Sequence, residues 1–246
     1  MKIKAVLLLV VALAFAASPL MVPGFGGYEP SQFPALEQDP PILPAGYAFA
    51  LWGVIYLWLI VMAGFGLIRR DLDAEWDATR LPLIISIGIG SVWLPVALVS
   101  PLWATVLIWA MLAAALAGLI RTPQRDLWLL RAPVGLYAGW LTAASCVSLG
   151  TLLVGFAIPP FGPVGWSVAM LALALAITVV LLRARPSLMY GAAVVWALIA
   201  VTVRDGATLV GLLALGAAVL VAALTFLRLR SLRSSRPRPA GRSAPR

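Results

Sequence analysis

The sequence predicts an all-α, polytopic integral membrane protein with about eight transmembrane helices. Three observations predict it. Hydrophobic residues make up 63% of the chain and charged residues only 11%, against about 25% charged in an ordinary soluble domain. A chain so poor in charge cannot cover a water-facing surface. Its apolar runs are each close to the ~20 residues that cross a bilayer as a helix, and the 246 residues hold seven or eight of them. Lysine and arginine collect in every second connecting segment, as expected when successive spans alternate sides.

The first apolar run, residues 5–22, follows Lys2 and Lys4. Ala14-Phe15-Ala16 reads as the small-x-small cleavage site of a signal peptide. The run reads equally as a retained first span, and retention is the expectation taken forward. Residues 23–45 form an outer loop with Pro, Gly and three acids, Glu29, Glu37 and Asp39. The second span covers 46–68, and Arg69 to Arg80 is a charged connector. The third and fourth spans, 81–99 and 102–120, meet at Ser100-Pro101, where proline lacks the amide hydrogen a continuing helix would use. Arg121 to Arg131 is a second charged loop before the fifth span, 132–155. The run Pro159-Pro160-Phe161-Gly162-Pro163 breaks the helix. Three further spans, 164–182, 187–203 and 207–227, are separated by Arg183-Ala184-Arg185-Pro186 and Arg204-Asp205-Gly206. Residues 228–246 carry seven arginines and read as a basic, disordered tail.

Charge tests this division. On one side lie Lys2/Lys4, Arg69/Arg70/Arg80, Arg121/Arg125/Arg131, Arg183/Arg185 and the tail. The other side holds the acidic loop, Ser100-Pro101, the uncharged proline turn, and Arg204 beside Asp205. The positive-inside rule then puts both termini in the cytoplasm. Scarce lysine with abundant Ala, Leu and Arg suggests a GC-rich bacterial genome, hence a bacterial inner (cell) membrane.

Composition also excludes. The net charge of +9 sits in the tail and short loops, so no folded basic face exists to hold nucleic acid. The tail is expected to be a solvated retention signal, with anionic headgroups as its functional contact. There is one cysteine, Cys146, and no histidine, which removes an intrachain disulfide and the commonest metal ligand and general base. No acid, lysine or arginine falls within the proposed spans, which argues against a carboxylate-driven pump and against paired-carboxylate catalysis. No GxSxG, Walker A or HExxH pattern occurs. The expectation is no catalytic residue, no metal and no required cofactor. The expected partners are the lipid bilayer and a hydrophobic small molecule, with room for a homodimer. Ser86 and Gly90 have the small-xxx-small spacing of close helix packing.

Ten tryptophans remain to be placed. Trp76, Trp128 and Trp166 lie in or beside loops and fit the interfacial aromatic belt, while Trp103 and Trp109 fit either place. Trp52, Trp93 and Trp140 lie inside the second, third and fifth spans. Phe49, Trp52 and Tyr56 are three and four apart and share one helix face, as do Tyr137, Trp140, Ala144 and Ser148. Such stripes serve packing or a ligand pocket.

Three segments carry a family resemblance. Pro44-Ala-Gly-Tyr-Ala-Phe-Ala-Leu-Trp52-Gly-Val-Ile-Tyr56, Ser91-Val-Trp93-Leu-Pro95 and Pro133-Val-Gly-Leu-Tyr137-Ala-Gly-Trp140-Leu-Thr-Ala-Ala resemble, in order and spacing, the aromatic motifs of the TspO/MBR family (tryptophan-rich sensory protein, translocator protein, peripheral-type benzodiazepine receptor). The likeness covers residues 5–155 as a five-helix core, with 156–227 as three additional helices like those of longer bacterial members. Ser148 and Gly90 stand where the family usually has asparagine, and Tyr47, displaced by one position, stands for its tryptophan. The resemblance implies a sensory or receptor-type protein that binds a tetrapyrrole (porphyrin or haem) or a lipid. The implied pocket consists of Phe49, Trp52, Tyr56, Trp93, Tyr137, Trp140 and Ser148 beneath loop 23–45. Transport of a small apolar metabolite is the alternative, and porphyrin breakdown is an activity the family also brings.

Overall fold

The computed structural model of the chain describes residues 1–22, 27–35 and 39–234. Glu37 and the tail beyond Ser234 lie outside them. Eight long helices are described: α1 (Lys2–Met21), α2 (Leu51–Arg69), α3 (Ala74–Val99), α4 (Pro101–Ile120), α5 (Ala132–Gly155), α6 (Pro163–Ala184), α7 (Leu188–Asp205) and α8 (Leu209–Ser234). Each belongs to a segment long and apolar enough to cross a membrane. The chain is therefore the all-α multi-pass membrane protein its composition predicts. Large apolar side chains such as Leu57, Val99, Val180 and Leu227 stand exposed on the outer faces, where lipid is their solvent.

Local chemistry sets the helix ends. Ser100 caps α4 by accepting from the Trp103 amide at 3.3 Å, with Pro101 at the first helical position. Asp73 caps α3, accepting from the amides of Glu75 (3.0 Å) and Trp76 (3.3 Å). The acids Glu75 and Asp77 in that first turn suit the positive end of the helix dipole. These caps start α3 at Ala74 rather than 81, so the expected Arg69–Arg80 connector is only a short turn. Arg80 consequently sits inside a helix, 1% exposed. It donates to Asp77 (3.2 Å) and to the carbonyls of Arg70 (2.6 Å), Asp71 (3.0 Å) and Gly66 (3.3 Å). At the other terminus, α8 continues past 227 to Ser234. Leu and Arg favour helix there, and no proline intervenes before Pro237.

The fifth helix is the axis of the bundle: two thirds of its span is buried (67%), and α2, α4, α6 and α7 all pack on it. Two glycines let α7 approach. A Cβ on Gly135 would lie 2.5 Å from Ser187 Oγ, and one on Gly139 would lie 2.4 Å from the Tyr190 carbonyl oxygen. One turn further on, the Thr142 and Tyr190 hydroxyls share a hydrogen bond of 2.9 Å. Small residues act likewise in α3. Ser86 donates to the Met111 carbonyl (2.7 Å), and Gly90 lies under Phe15 and Met111. The C-terminal helices join the bundle through α6 and α7 on α5, and α8 closes on α6 and α7.

The two ends of the bundle differ. At the arginine-rich end, Lys4 pairs with Asp77 at 2.7 Å, and Arg70 pairs with Asp126 at 2.8 Å. Arg125 pairs with Asp73 and Glu75. These pairs join α1, the α2–α3 turn and the α4–α5 loop on one side, as the charge alternation predicts. At the opposite end the Ala35 amide donates to the Gly155 carbonyl (3.0 Å), and the Ala45 amide to that of Ala200 (2.9 Å). Arg204 pairs with Asp39 across this end instead of with its neighbour Asp205. The Asp205 carboxylate turns to the start of α8, accepting from Thr208 and from the Gly211 amide.

Trp76 does not join the interfacial belt. It is 1% exposed, lies against Phe65, and donates its indole N–H to Asp126 at 3.0 Å. Trp128 is exposed, as a belt residue is.

Gly139→Val is expected to leave no folded protein in detergent, because the carbonyl it meets is backbone and cannot move aside. Gly53→Ala, where a Cβ meets nothing within 4 Å, is expected to keep wild-type yield and melting temperature. Size-exclusion profiles and thermal melts of the two variants check this. Asp126 provides a second test. Hydrogen bonding to Arg70 holds its carboxyl below the ordinary carboxylate range, so its contribution exists above about pH 4 and is lost as pH falls through the lowered value. Asp126→Asn keeps a residue tolerant of the left-handed backbone there (φ 53°). It is expected to cost about 2–4 °C in melting temperature at pH 7, with the gap closing as pH is lowered below about 4.

Candidate ligand cavity

A cavity of about 490 Å³ lies in the half of the bundle nearest the 27–45 segment. That end holds the C-termini of α1, α3, α5 and α7 and the N-termini of α2, α4, α6 and α8. The cavity is walled by residues of α1 to α7. Of the seven residues the sequence proposes, Phe49, Trp52, Tyr56, Trp93, Trp140 and Ser148 line it. Phe49 enters from a 3₁₀ turn, Gly46–Ala50, that leads into α2. Tyr137 does not line it. Its ring lies behind Phe15, centroids 5.9 Å apart, and its hydroxyl shares a 2.9 Å hydrogen bond with Ser86. The helical face that carries Trp140 thus continues into packing one turn earlier, at the α3–α5 contact.

The aromatic wall is built edge to face, the arrangement ring quadrupoles prefer. Trp140 meets Trp52 at 5.9 Å and 86°, and Phe49 at 6.1 Å and 83°. Trp52 stacks on Tyr56 at 5.4 Å. Phe15 of α1 touches Trp52 (5.7 Å) and Tyr56 (4.9 Å) edge-on, a wall residue the sequence reading missed. Cleavage after Ala16 would remove it. Across the cavity, Trp93 donates to the Ala104 carbonyl of α4 at 2.8 Å and lies 6.5 Å from the Tyr28 ring.

Two polar features stand out. One is a hydroxyl chain, in which Ser148 shares hydrogen bonds with Tyr28 (2.7 Å) and Thr105 (2.8 Å). It ties the 27–35 segment to α4 and α5. Burial pushes the Tyr28 phenol up, so this latch stays protonated through neutral pH. Gln32 adds a second tie to the same segment, donating to the last carbonyls of α3, Ala97 (2.9 Å) and Leu98 (3.0 Å). The other feature is the Trp140 indole nitrogen. The side chain is 2% exposed, and its N–H has no partner among the described residues. A buried unpaired donor costs about 1–3 kcal/mol.

The remaining walls were not legible in the sequence. Leu171 and Ala174 of α6 and Ala197, Leu198 and Val201 of α7 close one side, with Arg204 at the mouth. Trp196 faces away from the cavity, packing edge-on to Tyr47 (5.4 Å) and donating to the Ala48 carbonyl (3.1 Å). It thereby holds the turn that carries Phe49.

A family model described as TSPO-like protein matches residues 4–227, a stretch that includes every residue of the cavity wall. No curated protein and no solved structure matches the chain.

Tyr28→Phe and Ser148→Ala each break the latch without emptying the cavity of rings. One hydrogen bond is worth about 0.5–1.5 kcal/mol, so amide exchange across residues 27–35 is expected to quicken about two- to tenfold in either variant. Exchange at the wild-type rate in both would show that the hydroxyl chain does not hold the segment.

Proposed function

The chain belongs to the TSPO-like family, and from that premise we propose that it is a sensory or receptor-type membrane protein binding a flat, hydrophobic small molecule in the aromatic cavity. A tetrapyrrole such as porphyrin or haem is the ligand class it suits best. The carrying observation is the unpaired Trp140 N–H in a wall of Trp52, Phe49 and Tyr56. Rings supply apolar contact area, and one buried donor fixes orientation, which is how small-molecule sites commonly divide the work. The volume of about 490 Å³ falls in the usual range for such sites.

Carboxylate groups on the ligand would lie at the mouth. There Arg204 is held by Asp39 and donates weakly to the Pro44 carbonyl at 3.5 Å. An exposed pair of this kind exchanges partners at little cost, so a ligand carboxylate can replace Asp39. We assign no bond-breaking chemistry to the cavity residues and no cofactor to the resting protein. By the positive-inside rule the arginine-rich end faces the cytoplasm, which puts the cavity in the outer half of a bacterial cell membrane.

Titration of the purified protein in detergent with protoporphyrin, a sterol and a retinoid tests this. Porphyrin is expected to quench tryptophan fluorescence saturably, with a shifted absorbance band. Trp140→Phe, which keeps an aromatic ring but removes the N–H, is expected to weaken binding about tenfold, the equivalent of 1.4 kcal/mol. Spectra unaltered by porphyrin would remove the tetrapyrrole reading, and equal affinity in Trp140→Phe would remove the role given to its N–H.

A further inference from the structure

A second hollow, about 590 Å³, opens at the arginine-rich end, remote from the aromatic cavity. Its walls come from the α4–α5 loop, the π-helical turn Leu127–Arg131, the start of α7 and Leu229 of α8. By sequence, Arg131 closes the charged loop Arg121 to Arg131. Instead the π turn carries it inward, and it is only 6% exposed.

Its guanidinium is incompletely satisfied. One terminal nitrogen donates to Gln124 Oε1 (3.2 Å) and the other to the Pro186 carbonyl (2.6 Å). The Nε is buried with no partner among the described residues. The neighbouring charge that acts on it is another cation, Arg185. Arg185 reaches the Thr122 carbonyl, and its Nε is likewise buried and unpaired. Neither arginine forms a salt bridge among the described residues, while Asp73, Glu75, Asp77 and Asp126 at this end are taken by other cations. Two adjacent guanidinium groups without a carboxylate leave an uncompensated positive site, the costliest arrangement for a partly buried charge.

The rest of the hollow fits an oxyanion with an apolar body. The α7 N-terminus forms one wall, at Ser187, Leu188 and Met189. Ser187 caps this helix, accepting from the Tyr190 amide at 3.4 Å; the first-turn amides ahead of it have no partner within a helix and carry the positive end of its dipole. Leu127, Trp128 and Leu188 on the rim are exposed. Trp128 stacks on Trp58 at 6.3 Å, whose indole N–H donates to the Trp128 carbonyl at 3.0 Å. A tryptophan pair with Trp128 exposed and Trp58 half-buried, beside arginines at the helix ends, marks headgroup depth.

We propose that this hollow binds the phosphate of an anionic phospholipid: Arg131 and the α7 N-terminus hold the phosphate, Arg185 supplies charge beside it, and Trp128, Leu188 and Leu229 contact the glycerol and first acyl carbons. Guanidinium is the side chain best shaped for phosphate oxygens.

The test uses the full-length protein in a neutral detergent. Retained lipid is counted by native mass spectrometry after titration with phosphatidylglycerol or phosphatidylcholine, and thermal melts are recorded with each lipid and with inorganic phosphate. One phosphatidylglycerol is expected to be retained in preference to phosphatidylcholine and to raise the melting temperature, with inorganic phosphate at equal concentration far less effective. Arg131→Gln is expected to weaken that retention about tenfold. Met189→Trp, which fills the hollow and leaves both arginines, does the same and serves if Arg131→Gln does not fold. Arg121→Gln, an exposed arginine at the same end outside the hollow, leaves retention unchanged. Equal retention of the two lipids, or full phosphatidylglycerol retention in Met189→Trp, overturns the site. Inorganic phosphate matching phosphatidylglycerol overturns the lipid as its occupant.

Discussion

The approach of α7 to α5 at Gly135 and Gly139 is the contact on which the rest of the structure depends. Lipid provides no hydrophobic drive between helices, so association rests on close packing and buried hydrogen bonds. Removing two Cβ atoms brings the Tyr190 backbone onto α5, and the Thr142–Tyr190 bond fixes the register. With α7 set there, Ala197, Leu198 and Val201 close the aromatic cavity at one end, and Ser187 to Met189 border the arginine hollow at the other. One interface therefore positions a wall of each.

Charge organises the ends in a different way from the interior. The ion pairs Lys4–Asp77 and Arg70–Asp126 involve partly exposed groups, so each contributes little alone. Their value is connective, since they join segments far apart in sequence on one side of the bundle. Arg80 is the exception. It is fully buried and spends its donors on Asp77 and on four backbone carbonyls, those of Met1, Gly66, Arg70 and Asp71, and so caps the C-terminal carbonyls of α2 as a cation near a helix end does.

Hydropathy made the eight spans legible, and alternating charge showed which connecting segments gather at the same end of the bundle, because lipid imposes both patterns on a sequence that crosses it. Spacing also grouped Phe49, Trp52 and Tyr56 on one helix face and Trp140 and Ser148 on another, and the family resemblance joined the two stripes into one pocket. Contacts between helices were not legible. Tyr137 shares a face with Trp140, yet Phe15, from a helix more than a hundred residues earlier, stands in front of it. Trp76 follows a loop and reads as a belt residue, but Asp126, fifty positions later, draws its indole inward. Arg131 reads as the end of a charged loop because the π turn Leu127–Arg131 has no periodic signal. The Asp73 cap was available in the sequence: Asp73-Ala-Glu75 before an apolar run is a helix start, and it would have put Arg80 inside α3.

The buried polar side chains show where this bundle is complete and where it is not. Thr142, Thr151, Thr178 and Thr225 each donate back to a carbonyl of their own helix, and Ser86 and Ser145 donate across to α4. Among the described residues, the buried side-chain atoms left unpaired are Trp140 Nε1, Arg131 Nε and Arg185 Nε. All three are donors. Two line the hollows just described, and the third belongs to the cation beside one of them. An apolar occupant would leave these donors as costly as they are now. An occupant suited to each site therefore carries an acceptor: an oxygen or nitrogen among rings beside Trp140, and, on the proposal made above, a charged oxygen beside the arginine pair. The same shortage of internal acceptors, in two chemically different surroundings, sorts one hollow toward a flat apolar ligand and the other toward a phosphate.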